Sequence, residues 1–175
     1  LTIENLFFKF ADTNRKTNIF CVPLMESNLL EIFGTGGATK NYFLELLPNW
    51  RKYSALNLLT VTSFGTVEFR HMSGTNNIAK ILLWIDLINQ IKLYAYKNSF
   101  EDVLKEIISL NNNSKYHNFV TNVFKDLTNI LDLSNILHDM EDGVTQVKES
   151  SLNNDFDFNL RNTEIPLYGK STFHS

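Results

Sequence analysis

Two residues of opposite charge, Glu68 and Arg70, stand two apart in the stretch FGTVEFRHMSGT at 64–75. In an extended chain alternate side chains share a face, so Thr66, Glu68 and Arg70 point one way and Val67, Phe69 and His71 the other. A carboxylate and a guanidinium on one face can divide labour. The carboxylate takes a Mg²⁺ ion, and the rigid donor fork of the arginine neutralises phosphoryl oxygens. The same two residues as a surface ion pair contribute only about 0–1 kcal/mol. Spacing alone leaves both readings open and favours the ion pair.

The remaining candidates are weaker. GTGG at 34–37 reads as a helix stop followed by a loop before it reads as a phosphate cradle. YGKST at 168–172 has the tail of a P-loop, but Glu164 stands where its first glycine belongs, and no strand–helix context surrounds it. The four histidines, His71, His117, His138 and His174, have no metal-ligand spacing to one another. His71 is expected to pack on the far face of its strand. Cys21 has no catalytic partner signature beside it, and as the one cysteine it cannot make an internal disulfide, which points to a reducing, intracellular setting.

The elements that must position these residues follow from pattern. KYSALNLLTVT and GTVEFRHM are rich in β-branched and aromatic residues, and SFG supplies a turn, so 52–72 is expected as a β-hairpin. Asn57 then lies on the first strand, on the face of Ala55, Leu59 and Val61. Upstream, LTIENLFFKF fits a helix or a strand. NIFCVPL reads as extended, and ESNLLEIFG as a helix stopped by Gly34. Downstream, three helices are expected between 75 and 138. The first is capped by Thr75 and carries an apolar stripe at Ile78, Ile81, Leu82, Ile85 and Ile88; with Trp84, Leu87, Ile91 and Tyr94 it is predicted to be buried on two sides. Ser99 and Asp102 start the second, and Phe119 to Leu131 marks the third. From Asp139 the chain is rich in Asn, Ser and acids, and is expected as an extended or partly disordered arm over 139–175.

At 175 residues, 43% hydrophobic and 13% aromatic, the chain suits one ordinary globular domain. No run approaches the roughly 18 apolar residues of a membrane span, and Lys9 and Asp12 interrupt the apolar start, so no membrane role is expected. Residues 139–175 hold seven carboxylates against three cations, which concentrates the net charge of −3 in that segment. Neither part has the clustered basic face of a nucleic-acid-binding module, and no nucleic-acid partner is expected.

The string around Glu68 and Arg70 adds a further reading. Lys52, Tyr53, Asn57 and Leu58, then Gly65, Thr66, Glu68, Phe69 and Arg70, then Gly74 and Thr75 before a helix bearing Trp84, occur in that order. This pattern, over about residues 12–97, resembles the C-terminal half of the putative amidoligase family, which has a glutamine synthetase and glutamate–cysteine ligase-like fold and many bacteriophage and bacterial members. Arg15 in NRKTNIFCVPL resembles that family's arginine ahead of an aromatic–Cys stretch. The resemblance implies ATP-dependent joining of a carboxylate to an amine through an acyl phosphate, with ATP and Mg²⁺ as cofactors. It implies Glu68 at the metal, Arg70 at phosphoryl or acyl-phosphate oxygens, Asn57 orienting a polar substrate group and Arg15 near the cofactor. The family's Gly-x-Glu-x-Glu and His-x-His type motifs do not occur in this chain.

The fold expected from these readings is α+β. An antiparallel sheet bears the site on a polar face and packs its other face on helices, as a partial glutamine-synthetase-like domain over 1–138 followed by the 139–175 arm. The function expected is an ATP-dependent carboxylate–amine ligase, its phage or bacterial origin left open, acting on a peptide, cell-wall or protein substrate. The alternative is a non-catalytic structural or binding component of a phage particle or other assembly, with a protein partner for the arm. The setting expected is cytoplasmic, or the virion if phage-encoded.

Overall fold

Glu4–Ala11 forms a helix, α1, in the computed structural model, which describes residues 1–27 and 52–153. The ambiguous start LTIENLFFKF is therefore helical. Its apolar residues turn two ways: Leu6 and Phe7 enter the main core, while Phe8 joins Cys21 and Ala55 in a second cluster. A 3₁₀ turn at Thr13–Thr17, capped by Asp12, leads through a turn at Ile19–Phe20 and a bend at Cys21 to Val22, so the NIFCVPL stretch expected as extended turns before its one bridge. There Val22 makes a parallel bridge to Ser54, through Val22 N–H to the Tyr53 carbonyl at 2.8 Å and Ala55 N–H to the Val22 carbonyl at 2.7 Å.

The hairpin expected over 52–72 is shorter than its composition suggests. Only Leu56–Asn57 (β1) and Glu68–Phe69 (β2) pair, antiparallel, with Leu56 opposite Phe69 and Asn57 opposite Glu68. Between them Thr60–Phe64 forms a short helix, α2, where strand and turn were expected. Two local bonds explain the difference. Gly65 adopts φ 64°, the left-handed helix stop that glycine favours, and the Thr60 hydroxyl donates to the Thr66 carbonyl at 2.7 Å, closing the turn.

Three helices follow as predicted in number: α3 (Ile78–Lys97), α4 (Phe100–Ile108) and α5 (Asn113–Phe124). The α3 cap is Asn77, whose side chain accepts the Lys80 N–H at 3.1 Å; Thr75 accepts the Asn77 N–H instead. The expectation that α3 is buried on two sides is corrected. Trp84 and Leu87 face the core with Ile88, Ile91 and Tyr94 beside them, but Ile78, Leu82 and Ile85 are 72%, 56% and 54% exposed. Ser99 caps α4, as its spacing to Asp102 predicted. After α5 a 3₁₀ turn, Lys125–Ile130, takes the place of the expected helical continuation to Leu131.

The largest correction concerns the acidic segment. Ile136–Asn153 is a helix, α6, so the extended arm does not begin at Asp139. Ile136, Met140 and Val144 recur every four residues and form a narrow buried seam against α1, α4 and α5. Gly143 permits the approach: a Cβ there would meet the Leu1 carbonyl oxygen at 3.0 Å and the Thr2 Cα at 3.1 Å. Asp139 is buried, where Lys9 of α1 reaches its carboxylate and the Asn5 side chain donates to its carbonyl at 2.9 Å. The expectations for the Gly34 helix stop, GTGG, YGKST and residues 154–175 lie outside the described residues. No described helix is long and apolar enough to cross a membrane.

The described chain is thus mostly helical with one small antiparallel sheet, α+β in the broad sense. The sheet presses one face on helices. Phe69 and His71 meet Phe7 of α1 and Trp84 of α3, with ring centroids between 5.6 and 6.5 Å apart. The opposite face carries Glu68, Arg70 and Asn57.

Candidate functional site

The pairing of Asn57 with Glu68 places the two side chains side by side, and Arg70 follows on the same face. Asn57 is almost fully buried. Its Nδ2 donates to Glu68 Oε2 at 2.9 Å, and its Oδ1 accepts the Leu59 N–H at 3.1 Å, which fixes the amide's orientation. Arg70 Nη2 donates to the same Oε2 at 2.8 Å. One carboxylate oxygen therefore takes both donors, while the Glu68 side chain stays 44% exposed. Glu68 Oε1 accepts neither of these hydrogen bonds.

Charge follows from that geometry. The Arg70 hydrogen bond, then that of Asn57, holds the Glu68 carboxyl below its ordinary 4.5. Since the folded value is depressed, the contribution of the pair to stability is present above about pH 4.5 and lost as pH falls through the folded value. Replacing Arg70 with methionine is expected to return the Glu68 titration toward 4.5. A ¹³C carboxyl NMR titration reads this, and an unmoved midpoint would mean that the guanidinium does not govern the carboxylate.

Arg15 does not join this face. Its Nη2 donates to the Arg70 carbonyl at 2.8 Å, and the Cys21 thiol donates to the same carbonyl at 3.2 Å. Arg15 thus ties the first 3₁₀ turn to the sheet from behind. Arg15 Nε and Arg70 Nε are both buried without a partner among the described residues. Burial pushes the Cys21 thiol up, with Arg15 acting in the opposite direction, so the group stays a neutral donor.

Behind β2 lies a second polar contact that sequence reasoning did not find. Glu4 of α1 is buried, accepts the Leu24 N–H at 3.0 and 2.8 Å through its two oxygens, and comes within 3.4 Å of His71 Nε2. His71 packs on the far face of its strand, as expected. Its partner was not legible, because Glu4 and His71 lie 67 residues apart. This carboxylate is spent on backbone and imidazole, on the side of the sheet away from Glu68.

Whether these residues suit a magnesium nucleotide can be judged from the donor set. Mg²⁺ in such sites takes one or two carboxylates together with phosphate oxygens and water. Glu68 offers one oxygen, with a guanidinium already beside it. No group of three or more His, Cys, Asp or Glu side chains among the described residues is placed to hold a metal ion. The set fits the edge of such a site and does not complete one.

No protein-family model, curated protein or solved structure matches the chain.

Proposed function

We propose that this chain forms part of an ATP-dependent carboxylate–amine ligase of the amidoligase kind, on a glutamine-synthetase-like fold. The observation that carries the reading is the gathering of Glu68, Arg70 and Asn57 into one hydrogen-bonded unit on one face of the sheet, with the Glu68 side chain 44% exposed. These are the residues that the family resemblance singles out, and two of them come from different strands. In this reading Asn57 and Arg70 hold Glu68 ionised and oriented, so that its other oxygen can bind a hydrated Mg²⁺ or an amine proton. Arg70 retains guanidinium N–H groups for an anionic oxygen of the substrate. Arg15 acts as a positioning residue, through the Arg70 carbonyl. The substrates would be a small or peptidic carboxylate and an amine.

The test is ATP turnover by the complete protein. Glu68→Gln and Arg70→Ala are each expected to lower it by at least about 10²-fold, the scale of losing one preorganised charge-stabilising group, with the circular dichroism spectrum unchanged. Unchanged turnover in both variants removes the site assignment. A second reading, a non-catalytic component of a phage particle or other assembly, is favoured by the exposed row Ile78, Leu82 and Ile85 on α3. Wild-type protein that turns over no ATP would bring that reading forward.

A further inference from the structure

Away from the sheet, α3, α4 and α5 send polar side chains to a common point. Glu106 of α4 receives the Tyr94 hydroxyl of α3 on Oε2 and the Asn122 amide of α5 on Oε1, the latter at 2.8 Å. The Tyr94 hydroxyl is held protonated well above its ordinary range, by burial first and by the adjoining Glu106 carboxylate second. A cleft of about 270 Å³ opens over this knot, lined also by Gln90, Lys97 and Lys125. At about 30 Å³ per water it has room for roughly nine waters, enough for a molecule of a few heavy atoms.

Three features of the cleft bear on a ligand. A carboxylate offers about four acceptor positions, and the two donors on Glu106 leave it able to accept more. Lys97 and Lys125 make no ion pair among the described residues. Lys125 ends α5 with φ 53° and ψ −129°, a conformation glycine adopts most readily and the one non-glycine positive φ among the described residues. A lysine at such a position beside a cleft marks a candidate functional residue.

We propose that this cleft binds a small zwitterion, of the class of free α-amino acids. Its carboxylate lies between Lys97 and Lys125, its ammonium donates to Glu106, and Gln90 supplies a neutral hydrogen-bonding side. Two lysines and one oriented carboxylate line the same cleft, so in this reading it selects for a molecule carrying both signs over one carrying either alone. This site is separate from the Glu68 face and does not depend on the ligase reading.

The test is an NMR titration of the ¹⁵N-labelled full chain with L-alanine, and with acetate and methylammonium as its two charged halves. Alanine is expected to give saturable shifts at Gln90, Lys97, Asn122 and Lys125, with each half at least about tenfold weaker, the scale of losing one charge-assisted contact. Lys97→Ala is expected to weaken alanine binding by about tenfold. Lys125→Gly relieves the backbone, so it is expected to raise Tm while weakening alanine binding. No saturable shift with alanine, or acetate binding as tightly as alanine, overturns the proposal. Undiminished alanine binding by both variants overturns it too.

Discussion

Phe124→Ala is expected to destabilise the protein by about 3–5 kcal/mol, the usual range for emptying a buried phenylalanine site. Phe124 has no exposed surface, and its ring lies 5.9 Å from that of Phe7 in the main core, between the end of α5 and α1. Trp84 is itself packed on Phe7 at 5.1 Å, and Met140 and Ile136 of α6 are fully buried in the same core. The loss is a large fraction of a typical total of about 5–15 kcal/mol, and corresponds to a fall in Tm of order 10 °C for a chain of this size. Urea or thermal denaturation measures it. A cost below about 1 kcal/mol would mean that α1, α5 and α6 do not share one core.

The second large effect concerns the charge pair between α1 and α6. Lys9→Met is expected to cost about 3 kcal/mol, because it leaves the buried Asp139 carboxylate without its cation. The ammonium of Lys9 also lies 3.7 Å from Asp132, which is exposed and rehydrates when the lysine is lost, so most of the penalty falls on Asp139. The double variant Lys9→Met with Asp139→Leu is expected to recover the greater part of that loss, since replacing a buried pair by apolar side chains is far milder than removing one partner. A chemical-denaturation cycle over the four proteins provides the check. Strictly additive losses would show that the two charges do not interact in solution.

How much of this was legible before the structure depends on the scale of the cause. The β1–β2 pairing and the shared face of Asn57, Glu68 and Arg70 follow from alternation and β-branched composition, which are local signals. The helix α2 was hidden because Thr60, Val61 and Thr62 favour strands, and two short-range details outweighed that preference: the left-handed Gly65 and the Thr60 bond to Thr66. The helix α6 was hidden because its apolar seam is only three residues wide in an acidic, polar stretch, and its stability comes from α1, which lies more than a hundred positions away. On α3 the sequence is apolar almost all round, so periodicity could not say which side the core would take and which would face water. Within the site, the residue types were legible and their wiring was not. That both Asn57 and Arg70 would converge on one oxygen, and that Arg15 would hold the strand from behind, depends on rotamers and register that no spacing encodes.

The contact between α1 and α6 also sets a timetable for synthesis. Asn5 and Lys9 find their partner at Asp139, 134 and 130 residues later. At about 5–20 residues per second, a ribosome needs roughly 7–25 seconds to make that stretch. Over this interval Leu6 and Phe7 have been made without the helix that will cover one side of them. The nascent chain therefore presents the apolar side of α1 while that stretch is translated, a waiting period in which chaperone capture competes with premature association. Final closure of the core is coupled to the arrival of the last described helix.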